Sequence, residues 1–399
     1  MESLKELFKI GNGPSSSHTM GPKRAAEQFV KRCPNPERYR VTLYGSLAAT
    51  GKGHLTDKAI LAVLEPVAPT EICWEPDTVL SFHPNGMRFE ALCGDEVVDS
   101  WLIFSTGGGA LENEDTKAEP APDIYSMSTI QEIKEWCCNE GKTYWEYVEE
   151  CEGPEIWEYL DRVWTVMCET IERGLNNDGV LPGGLKVARK ASTYYVKSKS
   201  YTGSLASRAR IYAYALAVAE ENAAGGEVVT APTCGSCGVI PAVIFHLATS
   251  RDILRVRILR ALATAGLFGN VVKTNSSISG AAVGCQGEIG VACAMAAAAA
   301  CQLFGGTPSQ IEYAAEMGLE HHLGLTCDPV CGLVQVPCIE RNAIAAARAL
   351  DANTYATLSD GQHLVTFDKV VEVMNETGTN LPSLYRETSE GGLAKNYHR

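Results

Sequence analysis

The sequence predicts an α+β protein in which a small N-terminal α+β domain packs on a large, mostly α-helical domain. Short runs of alternating apolar residues fall between residues 39 and 104, and long segments with helical apolar spacing follow from residue 130. Between them lies a stretch rich in Glu, Asp, Lys and Pro with no apolar period, which is typical of a solvated linker. We therefore expect a first domain over 1–115, a linker over 116–124 and a second domain over 125–399.

The elements follow from the same patterns. In the first domain, β-like runs predict strands over 39–44, 71–74, 79–82, 88–92 and 97–104, and helical spacing predicts a helix over 57–64. In the second domain, the spacing predicts a strand-like run over 227–230 and helices over 130–138, 144–151, 156–175, 204–221, 241–247, 252–266, 288–303, 308–323 and 340–350.

Composition excludes several classes of protein. The chain has 399 residues, 45% of them hydrophobic and 21% charged, which is enough to build a substantial core. The net charge is −14 with Lys and Arg scattered, so no nucleic-acid partner is expected. The first nine residues lack the apolar core of a signal peptide, and the most apolar stretch, 289–304, is shorter than the roughly 20 residues of a membrane span. We expect a cytoplasmic protein without a membrane partner.

Fifteen cysteines are the first functional clue, because a reducing cytoplasm keeps thiols free or bound to metal. Cys285, Cys327 and Cys338 each stand beside Gly or Pro in a predicted loop or helix edge. Three thiolates brought together can hold an iron–sulfur cluster and leave one iron free to polarise a hydroxyl. Small buried hydrophobic side chains are the ordinary alternative for free cysteines, and spacing does not decide between the two.

A second cysteine motif suggests a different function. Cys234 and Cys237 form a Cys-x-x-Cys between a strand-like run and a predicted helix, as in dithiol redox proteins. The surrounding sequence lacks the alternating strands and helices of a thioredoxin-like unit. A thiol redox protein is therefore an alternative with weak support.

A hydroxyl-rich segment near the start of the first domain is a candidate binding element. Ser15, Ser16, Ser17, His18 and Thr19 precede a predicted helix and could bind an anion such as a carboxylate, or could simply cap the helix.

His54 lies between glycine turns and could act as a general base, although a lone loop histidine is more often a surface or capping residue. Asn85 lies in a predicted hairpin turn over 83–88, which identifies no ligand by itself.

Taken together, several segments resemble the iron–sulfur-dependent L-serine dehydratases in their single-chain form, with beta-type and alpha-type regions fused. The resemblance rests on Ser-Ser-Ser-His-Thr-Met-Gly-Pro at 15–22, His-Pro-Asn-Gly-Met-Arg at 83–88, and the segments 45–57, 273–288, 327–342 and 385–394. These motifs are long, follow the family's order and extend over nearly the whole chain.

The resemblance implies a [4Fe–4S] cluster held by Cys285, Cys327 and Cys338, and β-elimination of water from L-serine to give pyruvate and ammonia. It also implies a role for His54 as the base that removes the α proton. The remaining implied site residues are His18 and Lys273 as catalytic groups, and Ser15, Ser16, Ser17, Thr19, Asn85, Thr274 and Asn275 as substrate-binding groups. A homodimer is expected from the general commonness of twofold assemblies.

The chain departs from the family pattern at three places. Cys234-Gly235-Ser236-Cys237 replaces the usual Asn-Gly-Ala-Ala, Cys331 stands where a glycine is usual, and no cysteine ends the chain. We expect His398 or water to take the place of that terminal cysteine on the fourth iron. The added thiols leave L-cysteine desulfidation on the same scaffold as an alternative, and a noncatalytic amino-acid sensor is a further one.

Overall fold

The computed structural model describes residues 1–112 and 122–397. Most of the expected linker over 116–124, and His398, lie outside the described residues. Two hydrophobic cores are present, one around a five-stranded sheet in the first part of the chain and one among the helices that follow. The α+β class, with a small sheet domain on a large helical domain, is therefore confirmed.

The strands are β1 (Ile10–Asn12), β2 (Arg38–Tyr44), β3 (Thr70–Glu75), β4 (Gly86–Cys93), β5 (Glu96–Gly107), β6 (Ala110–Glu112) and β7 (Glu227–Val229). The main sheet has the order β3-β2-β4-β5-β6, in which β2 and β3 are parallel and the other pairs antiparallel. Along β2, buried residues alternate with half-exposed ones, as a strand with one face on the core requires.

The helices of the small domain are α1 (Gly21–Arg32), α2 (Gly45–Thr50) and α3 (Thr56–Leu64). Those of the helical domain are α4 (Ile130–Glu140), α5 (Tyr144–Glu152), α6 (Ile156–Leu175), α7 (Ala191–Ser198), α8 (Gly203–Ala223), α9 (Val239–Arg251), α10 (Arg255–Asn275), α11 (Gly280–Val283), α12 (Val291–Leu303), α13 (Pro308–Glu320), α14 (Cys338–Leu358) and α15 (Phe367–Asn380). Two π-helical turns, Ser16–Met20 and Gln286–Gly290, lead directly into α1 and α12.

Helix α12 is the centre of the helical domain. Its residues from Val291 to Cys301 are all buried, and most of them are alanine. Small side chains allow neighbouring helices to approach closely. A Cβ at Gly318 of α13 would lie 2.9 Å from the Ala294 Cα, so this crossing needs glycine. Among the described residues, no helix is both long and apolar enough to cross a lipid bilayer.

The first twelve residues pack with the helical domain, although the sequence-based division counts them in the first one. Strand β1 pairs with β7, Leu4 and Phe8 belong to the helical core, and the Met1 amino group donates to the Tyr125 carbonyl oxygen at 3.0 Å. This segment therefore ties residue 1 to the far domain, and the chain enters the small domain only at its serine-rich turn.

Local prediction and structure differ in several places. The predicted strand over 79–82 is an irregular connection, where Val79 and Phe82 are largely exposed and pair with no neighbouring strand. Helices α2, α7, α11 and α15 and strands β1 and β6 were not predicted. In α15 the core-facing residues Phe367, Val370, Val371 and Met374 follow the i, i+3, i+4, i+7 spacing of an amphipathic helix, so the sequence carried a signal for this helix.

Candidate active site

A small buried cavity lies where the two domains meet, and both domains line it. The small domain contributes Ser15 and His54, beside Pro14. The helical domain contributes Gly235, Cys285, Glu288, Ile289, Cys327, Pro329, Val334, Cys338 and Glu387. The cavity therefore collects thiol, carboxyl and imidazole groups from segments that are far apart in the chain.

The three cysteines implied as cluster ligands line this cavity from three segments. Cys285 precedes the π-helical turn into α12, Cys327 lies in an extended loop, and Cys338 is the first residue of α14. Two backbone hydrogen bonds join the loop of Cys327 to the C-terminal segment. The Cys327 N–H donates to the Tyr385 carbonyl oxygen at 2.8 Å, and the Glu387 N–H donates to the Cys327 carbonyl oxygen at 2.7 Å. The backbone of Cys285 and Cys338 is thus fixed by the start of a helix, and that of Cys327 by hydrogen bonds to the C-terminal segment.

Glu288 lies between two of these sulfurs. Its Oε2 is 3.7 Å from the Cys285 Sγ and 3.9 Å from the Cys327 Sγ, and the three atoms are within 4.8 Å of one another. The Thr233 hydroxyl donates to Oε1 at 2.7 Å, while burial raises the Glu288 pKa. A Cβ on Gly280 would lie 2.9 Å from the Cys327 Sγ, so a glycine is needed at this wall.

The donor set fits an iron–sulfur cluster. Three buried thiols facing one cavity are the ligands that such clusters take in proteins. Arg341, on the first turn of α14, supplies a positive charge beside them. Burial opposes that charge, yet the neighbouring Cys285 and Cys338 raise the pKa of Arg341. Its guanidinium donates to the Thr326 carbonyl oxygen at 2.7 Å, which holds it next to the sulfur atoms.

Two fully buried histidines face each other beside the cavity. The ring centroids of His18 and His54 are 4.5 Å apart. His18 is held on both sides, with Nδ1 2.8 Å from the Ser17 hydroxyl and Nε2 3.0 Å from the Ser46 hydroxyl. Within the described residues, neither ring nitrogen of His54 has a hydrogen-bond partner. Burial lowers the pKa of His54 to about 4 and lowers the pKa of His18 well below its usual value, so both rings are neutral near pH 7.

Glu387 completes this group. Its Oε1 is 3.9 Å from the His18 Nδ1, and one oxygen of Glu387 lies within 4.8 Å of ring nitrogens of both His18 and His54. Burial, together with the charge of Glu288, raises the pKa of Glu387 to about 8. The residue has φ of +59°, a left-handed conformation that is unfavourable for glutamate. The fold therefore holds a carboxyl group at the cavity at a cost in backbone energy.

The serine-rich turn positions the histidines. The Ser15 hydroxyl accepts a hydrogen bond from the His18 N–H at 3.1 Å, and the Thr19 hydroxyl donates to the His54 carbonyl oxygen at 2.7 Å. Ser16 and Ser17 are buried, and Ser15 also lines the cavity. The Ser15 side chain thus caps the π-helical turn that leads into α1, and the same residue lines the cavity.

Asn85 is buried at the start of β4. Its Nδ2 donates to the Ser105 carbonyl oxygen at 3.1 Å, while no partner for its Oδ1 is found among the described residues. The preceding residue is linked to the histidines, because the Ser46 N–H donates to the Pro84 carbonyl oxygen at 3.1 Å. Asn85 therefore lies behind the Ser46–His18 contact and does not line the cavity.

The structure does not bring Lys273, Thr274 and Asn275 to the cavity. All three lie on the last turn of α10. Lys273 pairs with the Glu2 carboxylate at 2.5 Å, and the other two bond to carbonyl oxygens of their own helix and, for Asn275, of Ser128. The last turn of α10 lies away from the sulfur atoms. Its contacts anchor the N-terminal segment and the start of the helical domain instead.

The extra cysteines lie at different depths. Cys234 and Cys237 are almost fully buried, and burial raises the pKa of both thiols far above the usual value. A dithiol exchange site needs an accessible thiolate, so this burial argues against the redox alternative. Cys331 is exposed with φ of +56°, which explains why glycine suits that position.

Sequence reasoning gave no role to Glu288, Arg341, Glu387 or Ser46. Signals were present in the sequence. Glu288 is an acid at the start of an otherwise apolar, alanine-rich helix, and Glu387 lies in the C-terminal segment that carries part of the family resemblance. Arg341 and Ser46 also lie in segments of the family resemblance, 327–342 and 45–57, but only the tertiary fold shows which side chains face them.

Known proteins resemble this chain over nearly its whole length. The family model described as "Serine dehydratase alpha chain" matches residues 105–394, and "Serine dehydratase beta chain" matches residues 3–74. The chain is 42% identical to "L-serine dehydratase 2" and to "L-serine dehydratase 1" of Escherichia coli (strain K12), over 99% of this chain and 98% and 99% of those proteins. It is equally similar to an "L-serine dehydratase" of Streptomyces coelicolor, at 42% identity over 99% of this chain and 98% of that protein. The chain therefore belongs to the serine dehydratase family, with beta-chain and alpha-chain regions joined in one polypeptide.

Proposed function

We propose that this protein is an L-serine ammonia-lyase that eliminates water from L-serine to give pyruvate and ammonia, with a [4Fe–4S] cluster held by Cys285, Cys327 and Cys338. The observation that carries the proposal is that three buried thiols of the helical domain and the unpartnered His54 of the small domain line one cavity. Full-length relatives that bear the name L-serine dehydratase support the choice of substrate.

The elimination needs help at two atoms of serine. When bound, the cluster supplies a Lewis-acidic iron that stabilises the departing β-hydroxyl. The α proton must go to a base of the chain, and His54 is suited to accept it because its ring is neutral and its nitrogens are free.

Burial alone lowers the pKa of His54 to about 4. A substrate carboxylate beside the ring stabilises its protonated form and raises that pKa, which makes the imidazole a stronger base when serine is present. This response ties proton removal to the bound complex.

His18 and the serine-rich turn would orient the substrate carboxylate. His18 cannot rotate freely, because Ser17 and Ser46 bond its two ring nitrogens. Ser15 lines the cavity in front of it. Glu387 carries a proton at neutral pH and can donate a hydrogen bond to an oxygen of the substrate. Lys273, Thr274 and Asn275 have no part in this proposal because their contacts lie elsewhere.

A direct experiment uses the full-length protein purified without oxygen. We expect a brown protein with roughly four iron atoms per chain that forms pyruvate from L-serine. Cys285→Ala should lose the iron, the visible absorbance and the activity. Cys301→Ala, a buried cysteine of α12 outside the cavity, should keep all three.

Folded wild-type protein that remains free of iron after reconstitution would overturn the cluster. A cluster-loaded protein that releases sulfide from L-cysteine much faster than it dehydrates serine would instead establish the desulfidase alternative. One that binds serine without forming pyruvate would establish a noncatalytic sensor.

Two further expectations belong to the proposal. A reducing cytoplasmic location accords with the fifteen cysteines, all of which are free thiols. A homodimer is expected on general grounds, and sedimentation of the full chain tests it.

A further inference from the structure

A second and larger cavity, of about 790 Å³, lies in the helical domain. It is formed by the start of α8, the end of α9 and the second half of α14. Arg210, His246 and Arg251 line it, and none of its lining residues carries a carboxylate. A smaller recess beside it shares Arg210 and His246 and adds Lys199. Basic groups therefore gather here in a protein whose net charge is −14.

The structure describes no acidic partner for either guanidinium group. Among the described residues, neither Arg210 nor Arg251 forms a salt bridge or a side-chain hydrogen bond, although Arg208 on the same helix pairs with Asp351 at 3.1 Å. The Arg251 guanidinium lies 4.3 Å from the centroid of the Phe304 ring, which fixes it at the cavity wall. Unpaired arginines held beside a recess are suited to bind an oxyanion.

The start of α8 adds further donors. Its N-cap residue, Thr202, makes no capping hydrogen bond through its side chain, and Thr202 and Gly203 both line the cavity. The first N–H groups of a 21-residue helix therefore face this space with the positive end of the helix dipole.

Two buried polar side chains at the same cavity lack partners. His246 is 5% exposed and Asn353 is 2% exposed, yet the His246 Nδ1 and the Asn353 Oδ1 have no hydrogen-bond partner among the described residues. The other ring nitrogen of His246 is 2.8 Å from the Ser207 hydroxyl. Buried polar atoms in folded proteins are nearly always paired, so these two point to a ligand that pairs them.

We propose that this cavity is a second binding site, for a small phosphorylated molecule whose phosphoryl group lies between Arg210, Arg251 and the start of α8. A phosphoryl group carries nearly two negative charges at neutral pH and presents three acceptor oxygens, which match two guanidinium groups and a helix N-terminus. The volume exceeds that of a phosphoryl group alone, and Tyr201 and Phe304 offer apolar surface for an organic portion.

The site is distinct from the candidate active site. Helix α14 begins at Cys338 and lines the second cavity near Asn353, and fifteen residues of helix span about 22 Å. A ligand bound there touches none of the groups that face serine. The proposal is therefore independent of the serine reaction.

Isothermal titration calorimetry of the full chain, with phenyl phosphate as the probe and at fixed ionic strength, tests this site. We expect phenyl phosphate to bind, inorganic phosphate to compete and uncharged phenol to be inert. Arg210→Gln and Arg251→Gln should each weaken binding roughly ten-fold. Arg38→Gln, the matched change on β2 of the small domain, should leave it unchanged.

Absence of phenyl phosphate binding to wild-type protein would overturn the proposal, as would equal binding by wild type and both cavity variants. The proposal is also overturned if sedimentation shows that Arg210→Gln and Arg251→Gln dissociate an oligomer, because the cavity then faces a second copy of the chain. Thermal unfolding in chloride buffer identifies a variant that fails to fold, in which case His246→Gln replaces it and is expected to weaken binding.

Discussion

The ring centroids of His18 and His54 lie 4.5 Å apart with the ring planes tilted by 58°, but among the described residues only His18 is fixed by hydrogen bonds to its neighbours. This asymmetry divides the roles of two residues that are both fully buried and both neutral near pH 7. A ring held on both sides is suited to orient a ligand, and a ring with free nitrogens is suited to exchange a proton.

The first prediction concerns this division. His54→Gln should lower kcat for pyruvate formation by about 10²–10⁴-fold, the usual contribution of a general base, without loss of iron. His321→Gln, a matched change at a half-exposed histidine at the end of α13, should not change kcat. The measurement is the rate of pyruvate formation by protein kept free of oxygen, together with the iron content of the same samples. Retention of wild-type kcat by His54→Gln would exclude this residue as the base.

The second prediction concerns the space beside the sulfur atoms. In Gly280→Ala the new methyl would lie 2.7 Å from the Glu288 Oε2 and 2.9 Å from the Cys327 Sγ, which forces one of them to move. We expect lower iron content and lower activity, with a loss of about 1–3 kcal/mol in the free energy of unfolding. Gly184→Ala, where no atom lies within 4 Å, is the control. Full iron content in Gly280→Ala would show that the cluster lies elsewhere.

The third prediction concerns charge at the proposed cluster. Arg341→Gln removes a half-buried positive charge beside Cys285 and Cys338, so adding an electron becomes less favourable and the midpoint potential should become more negative. Arg341→Lys keeps the charge and should restore part of the shift. Arg348→Gln, on the exposed side of the same helix, is the control. Spectroelectrochemistry measures the midpoint potential of each variant. An unchanged potential in Arg341→Gln would place the arginine outside the field of the cluster.

The fourth prediction concerns backbone strain. Cys331 has φ of +56°, so Cys331→Gly should raise the free energy of unfolding by about 1 kcal/mol. Cys138→Gly, at an exposed position within α4, should lower it by about 1 kcal/mol because glycine weakens a helix interior. Urea titration of both variants measures the two signs. A destabilised Cys331→Gly would mean that the contact of this thiol with the Tyr397 carbonyl oxygen outweighs the strain.

The fifth prediction concerns pH. Burial lowers the pKa of His322 to about 4, below the value near 6.5 of an exposed histidine. As the pH falls from about 6.5 to 4, the unfolded chain binds a proton that the folded chain does not, so the free energy of unfolding falls by about 3 kcal/mol for this residue. His322→Gln should flatten that decline in urea titrations at several pH values. The same decline in variant and wild type would contradict the shifted pKa.

The sequence by itself determined the fold class, most of the helices and the family. Apolar spacing is a local property of the chain, so it predicted α6, α8 and the strands β2, β4 and β5 to within a few residues. Long motifs are local as well, and they led to the serine-rich turn and to three cysteines that the structure brings to one cavity.

Only the tertiary structure decided which groups meet. The family resemblance implied a catalytic role for Lys273, but the end of the helix that carries it lies beside Glu2. Conversely, Glu387 joins two histidines of the small domain because its loop pairs with the loop of Cys327. Charges and hydrogen-bond partners act through space over a few ångströms, so they depend on the packing of distant segments and have no signal in the order of residues.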